Sequence, residues 1–128
     1  MDNRKLKRIE PNDDWVIIKT IDMHTGGEPV RVILEGYPLL KEATVLDHRN
    51  YFKKNLDHLR QSLMLEPRGH VDMYGVVVIP SKREDFGVVF MHNEGYSTMC
   101  GHATIATTKL AIDSGWIAKV EPQTKVLI

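Results

Sequence analysis

The fold is decided by the stretch HNEGYSTMCGH at residues 92–102, because it places the only cysteine of the chain at the expected start of a helix. The run GVVFM at residues 87–91 precedes it and predicts a strand. Small and apolar residues follow at 103–112 and predict a helix that ends at the sequence DSG of residues 113–115. Cys100 is therefore expected at a helix N-terminus, with Ser97 or Thr98 as the cap. Unpaired N–H groups and the helix dipole lower the pKa of a thiol there and attract anions.

The helix at 103–112 carries one charged residue, Lys109. A helix that is apolar around its whole circumference is normally enclosed, and strands are the available cover. Strands are predicted at 15–22 and 30–34, joined by the turn TGGEP, and at 74–79 and 86–91. The predicted fold class is α/β (α+β), with a sheet wrapped around a central apolar helix.

A longer amphipathic helix is predicted between residues 44 and 65. Four apolar side chains recur there at intervals of four, three and four residues, namely Phe52, Leu56, Leu59 and Leu63. Four charged side chains are expected on the opposite, solvated face: Lys53, Lys54, Asp57 and Arg60.

Composition excludes several classes of function. Lys+Arg and Asp+Glu both number 17, so the chain has no net field that would steer it to nucleic acid or to an acidic membrane surface. One cysteine excludes an internal disulfide framework, and no apolar run is long enough for a membrane span. We expect a cytoplasmic protein with a small-molecule substrate, no nucleic-acid or membrane partner, and a homodimeric assembly. Residues 1–14 are expected to form a solvated leader, and 15–128 a single domain.

The residues alone leave three roles open for Cys100. It could be a thiolate base or nucleophile, a metal ligand together with His102 and either His92 or His24, or a small buried side chain. Gly95 and Gly101 flank the thiol and favour a reactive role, because they allow a ligand to approach. Too few ligands are present at suitable spacing to favour a metal site. A cysteine hydrolase would need a histidine and an orienting side chain, which the spacing does not support.

Two other segments are weaker candidates. The sequence HTGGE at residues 24–28 could hold a ligand, but a Gly-Gly turn between strands explains it equally well. Arg68 in EPRGH at residues 66–70 could hold a substrate carboxylate, although a helix stop with an Arg–Glu pair is the preferred interpretation.

Four motifs together resemble the proline racemase superfamily: DMHTGGEP at 22–29, LEPRGH at 65–70, DMYG at 72–75 and MCGH at 99–102. That group includes proline racemases, 4-hydroxyproline 2-epimerases and trans-3-hydroxy-L-proline dehydratases. The resemblance implies the diaminopimelate epimerase-like fold, in which two similar domains each wrap a sheet around a central helix. The active site then lies in the cleft between the domains, and neither a cofactor nor a metal is implied.

The resemblance also implies roles for three residues. Cys100 would be the catalytic thiolate that removes the Cα proton of proline or a hydroxyproline. Gly101 and His102 would bind the substrate carboxylate through their backbone N–H groups.

The reaction class depends on a second catalytic residue, which the resemblance places beyond residue 128. A cysteine there would indicate a racemase or epimerase, whereas a threonine would indicate a dehydratase. The segment 23–29 together with HNEGY at 92–96 resembles the dehydratases more closely and favours trans-3-hydroxy-L-proline dehydratase. Residues 15–128 are thus expected to be an incomplete first domain that does not turn over substrate alone, and a non-catalytic binding module is the alternative from another class.

Overall fold

A computed structural model describes residues 10–128. Within that range the strands are β1 (Lys19–Thr25), β2 (Glu28–Glu35), β3 (Tyr74–Ile79), β4 (Gly87–His92) and β5 (Tyr96–Ser97). The helices are α1 (Val45–Asn55), α2 (Asp57–Met64) and α3 (Gly101–Asp113). The expected leader falls mainly outside the described residues, and its last part, 10–14, is exposed and neither helical nor extended in a sheet.

The strands form one mixed sheet in the order β1-β2-β3-β4-β5. Neighbours are antiparallel except β2 and β3, which run parallel and are connected through α1 and α2. A parallel pair requires such a crossover, because a tight turn cannot return the chain to the same end of the sheet. The architecture is the predicted α+β class.

A two-residue turn joins β1 and β2. Gly26 and Gly27 have φ angles of 59° and 95°, the left-handed conformation that a type I′ hairpin requires at both positions. The predicted first strand, 15–22, begins four residues too early. Trp15 and Val16 are 53% and 70% exposed, so the apolar run at that end does not enter the sheet.

Helices α1 and α2 cover one face of the sheet. Thr44 and Asp47 form a capping box at the start of α1: the Thr44 hydroxyl accepts from the Asp47 N–H, and the Asp47 carboxylate accepts from the Thr44 N–H. The single helix predicted over 44–65 is instead two, because Leu56 leaves helical geometry at φ −123° and ψ 18°. The four predicted apolar positions are all buried.

The prediction that Arg60 lies on the solvated face is wrong. Its side chain is buried, and the guanidinium donates to both carboxylate oxygens of Asp57 at 2.7 and 2.9 Å. The remaining nitrogen donates to the carbonyls of His92 and Asn93 at 2.9 and 2.7 Å. A buried arginine is tolerated where its donors are satisfied, so hydrophobic periodicity alone could not place it.

Helix α3 covers the other face of the sheet. Its packed side carries small residues, which bring the helix axis close to the strands: Ala103, Ala106, Thr107, Leu110 and Ala111 are buried. Val30, Val32, Val76 and Phe90 pack against it from the sheet. The helix ends as predicted, with Gly115 at φ 75° after the cap. No helix within residues 10–128 is long and apolar enough to span a membrane.

Candidate active site

Cys100 is the N-cap residue of α3, which confirms its predicted position at a helix start. Its backbone is extended, at φ −146° and ψ 106°, and its side chain is buried. The predicted capping by Ser97 or Thr98 is wrong: the Ser97 hydroxyl instead donates to the Met99 carbonyl at 2.6 Å. The thiol therefore lies at the helix end itself, without a neighbouring hydroxyl cap.

The structure does not show the expected lowering of the Cys100 pKa. Burial raises the pKa of the Cys100 thiol, and the nearby N–H of Ala103 lowers it by a smaller amount. The Cys100 side chain makes no capping hydrogen bond to a backbone N–H of the helix. Desolvation disfavours the charged thiolate, so the free thiol is the stable form unless a neighbour accepts its proton.

The neighbour in place to accept that proton is the His102 side chain. Its Nδ1 lies 3.4 Å from Cys100 Sγ, within hydrogen-bond distance for sulfur. Its Nε2 lies 3.2 Å from the Pro29 carbonyl oxygen. A carbonyl can only accept, so this contact places the ring proton on Nε2. Nδ1 is then the unprotonated ring nitrogen and the one nearer the thiol, since Nε2 lies 3.9 Å from Sγ.

The β1–β2 hairpin holds His102 in this position. The Thr25 hydroxyl donates to the His102 carbonyl at 2.8 Å, and Pro29 supplies the acceptor for the ring. On the other side, the Tyr74 ring meets the imidazole edge to face, with centroids 4.7 Å apart. Three sequence motifs thus meet at one histidine.

The backbone donors predicted from the resemblance are accessible. Gly101 and His102 occupy the first turn of α3, where backbone N–H groups have no partner within the helix. Gly101 is exposed, and a Cβ placed on it would meet no atom within 4 Å. An anion could therefore approach the helix end at Gly101, next to the N-cap Cys100.

The other candidate ligands have different positions. His24 Nδ1 accepts the Gly27 N–H at 3.1 Å, a contact within the hairpin turn. Arg68 is exposed, and its carbonyl accepts from Arg31 at 2.9 Å. No group of three His, Cys, Asp or Glu side chains in residues 10–128 is arranged to hold a metal ion, so neither His24 nor His92 completes a ligand set with Cys100 and His102.

Sequence reasoning considered the His102 side chain only as a metal ligand and missed its contact with the thiol. Residues 100 and 102 lie on different sides of an ordinary helix, but Cys100 is outside the helix with an extended backbone, which brings the two side chains together. The aromatic wall formed by Tyr74 was also missed. Its only signal was its place in the DMYG motif.

The chain belongs to the proline racemase family, whose model matches residues 20–128. A trans-3-hydroxy-L-proline dehydratase from Colwellia psychrerythraea is 51% identical over 118 residues, which are 91% of this chain and 33% of that protein. The trans-3-hydroxy-L-proline dehydratase of Homo sapiens is 50% identical, over 86% of this chain and 32% of its own length. The chain spans about a third of the length of these relatives.

Solved structures agree on the fold. A hydroxyproline epimerase from Agrobacterium vitis with bound trans-4-hydroxy-L-proline superposes with a TM-score of 0.76 at 27% identity, covering 85% of this chain and 33% of the other. A probable proline racemase from Agrobacterium radiobacter with bound carbonate gives 0.77 at 26% identity, covering 86% and 34%. The mixed sheet and its helices are thus the family fold.

Proposed function

We propose that Cys100 removes the Cα proton of a proline derivative, and that the substrate is trans-3-hydroxy-L-proline, which the enzyme dehydrates. The observation that carries the proposal is the contact between Cys100 Sγ and His102 Nδ1 at the open N-terminus of α3. The relatives at about 50% identity, which are named as dehydratases, support the choice of reaction.

His102 is the group that makes the thiol a base. The thiol proton moves to Nδ1, which leaves a thiolate beside an imidazolium that still donates from Nε2 to the Pro29 carbonyl. The ion pair offsets the burial that raises the Cys100 pKa. The imidazole is fixed by its carbonyl partner and by Tyr74, so little reorganisation accompanies the transfer.

The helix end binds the substrate carboxylate. The N–H groups of Gly101 and His102 donate to it, which places Cα near Sγ. The thiolate takes the Cα proton, the C–H electron pair forms the double bond to Cβ, and the C–O bond to the 3-hydroxyl breaks. The leaving hydroxyl takes up the proton that the thiol gave to His102 and departs as water, which leaves pyrroline-2-carboxylate and returns the pair to thiol and neutral imidazole.

Racemisation or epimerisation is the second candidate. The structural neighbours named as a proline racemase and a hydroxyproline epimerase share this fold at 26–27% identity. The same thiol would remove the same proton, but a second group would return one to the opposite face of Cα. The two candidates differ in product: dehydration yields pyrroline-2-carboxylate, whereas the alternative yields only the opposite configuration at Cα.

The test is the pH dependence of Cys100 alkylation by iodoacetamide. It uses the protein as its gene encodes it, including any residues beyond 128. Substitution His102→Gln is expected to raise the apparent pKa of the thiol and to slow alkylation at pH 7 by roughly tenfold, because the imidazolium partner is lost. The matched control is His58→Gln, since His58 is exposed on α2. Pyrrole-2-carboxylate, a planar mimic of the carbanion, is expected to protect the wild-type thiol.

The labelling assay also separates the proposal from its alternatives. Slow alkylation that neither His102→Gln nor pyrrole-2-carboxylate changes would contradict a catalytic thiol and favour a binding module. Incubation of the wild type with trans-3-hydroxy-L-proline then distinguishes the two reactions by their products.

A further inference from the structure

A cavity opens at the same end of the sheet as the thiol. Its volume is about 370 Å³, and its polar wall includes Glu66, His70, Asp72, His92 and Glu94. Tyr74 belongs to both places: it lines this cavity and packs against His102. The cavity is thus separated from the Cys100–His102 pair by one aromatic ring.

His92 lies on the face of the sheet that carries the thiol. It is the direct cross-strand partner of Tyr74 in the β3–β4 pair. Alternate side chains of a strand point to the same face, and Phe90 and Val76 pack in the core against α3. His92 and Tyr74 are each two residues from these, so both rings lie on the α3 side. Their centroids are 5.8 Å apart.

The structure fixes which nitrogen of His92 is a donor. Nδ1 accepts the Glu94 N–H at 3.1 Å, so the ring proton belongs on Nε2. The backbone at His92 is also held in place, because the carbonyls of His92 and Asn93 both accept from the buried Arg60. His92 therefore holds one N–H donor in a defined place at the cavity.

We propose that His92 selects the hydroxylated substrate by donating its Nε2–H to the ring hydroxyl of the cyclic imino acid. This inference rests on the proposed function, because it assumes that the imino acid is held at α3. A hydroxyl both accepts and donates, and the cavity offers both partners: the His92 N–H and acceptor carboxylates such as Glu66, Asp72 and Glu94. Tyr74 provides the flat apolar surface between the two polar ends, against which a pyrrolidine ring can pack.

The experiment compares two ligands that differ by the hydroxyl. Protection of Cys100 against short pulses of iodoacetamide gives apparent dissociation constants for L-proline and trans-3-hydroxy-L-proline, again in the protein as its gene encodes it. In His92→Phe we expect the preference for the hydroxylated ligand to fall by roughly 3- to 10-fold, as loss of one neutral hydrogen bond implies. L-proline, which lacks the hydroxyl, is expected to bind equally well to both proteins.

Two further variants make the result decisive. His92→Gln keeps an N–H donor at similar reach and is expected to restore most of the preference, which a purely structural role would not require. His58→Phe is the control for a histidine away from the cavity. An unchanged preference in His92→Phe, or a wild type without preference, overturns this inference alone. Failure of both ligands to protect wild-type Cys100 overturns the proposed function as well.

Discussion

Neutralising Asp57 is expected to destabilise the protein at neutral pH and to remove part of its sensitivity to acid. Asp57 accepts two hydrogen bonds from Arg60, and this contact is the main reason that the pKa of Asp57 falls from 3.8 to about 2. The folded pKa is below the unfolded one, so the stabilisation is complete above about pH 4. It is lost as the pH falls through 2.

The magnitude follows from the difference between the two pKa values. A fall from 3.8 to about 2 corresponds to roughly 2.5 kcal/mol. The Asp57 side chain is 36% exposed, so solvent screening reduces the usable value to about 1–1.5 kcal/mol. Substitution Asp57→Asn should therefore lower the free energy of unfolding by about that amount at pH 7.

Urea unfolding followed by far-UV circular dichroism, at pH 7 and at steps between pH 5 and pH 2, measures both effects. The gap between wild type and Asp57→Asn should close as the pH falls through 2. The matched control is Asp113→Asn, which breaks the exposed pair with Lys109 and should cost less than about 0.5 kcal/mol. A gap that stays constant across this pH range would refute the assignment of the stabilisation to the ionised Asp57.

Two further predictions concern stability, each measured as the free energy of unfolding in urea. Gly69→Ala should cost at least about 3 kcal/mol or prevent folding, because the new Cβ would lie 2.0 Å from the Met64 carbonyl oxygen. Gly101→Ala is the control: its new Cβ meets open space, so the free energy of unfolding should change by less than about 1 kcal/mol. Equal costs for the two glycines would contradict this reasoning. Thr44→Ala removes the capping box with Asp47 and should cost about 1 kcal/mol, and a neutral effect would show that the box does not stabilise α1.

Local signals in the sequence were sufficient for the elements that are governed by local physics. The Gly-Gly turn, the strands β3 and β4 and the α3 boundaries all follow from turn chemistry and periodicity. The errors arose where tertiary contacts override such signals. Residues 15–18 are β-branched and aromatic but remain outside the sheet. Arg60 is charged but buried, since acceptors from a distant turn satisfy it.

The candidate active site shows the same difference between local signals and tertiary contacts. The position of Cys100 followed from local sequence, but its electrostatics did not, because burial depends on residues far along the chain. The orientation of His102 depends on the Pro29 carbonyl, which is 73 positions away. No spacing rule connects these residues, so only the folded β1–β2 hairpin could show that the imidazole lies beside the thiol.

The burial of the thiol makes His102 necessary in the proposed reaction. A helix N-terminus stabilises one anion well, but here it would have to stabilise the Cys100 thiolate and the substrate carboxylate at the same time. The bound carboxylate adds negative charge beside the thiol, and burial already disfavours the thiolate. The helix end alone would therefore stabilise the thiolate even less once the substrate is bound. In the proposed reaction an imidazolium at 3.4 Å from Sγ would supply the missing positive charge, so we expect the histidine to be needed most in the complex with substrate.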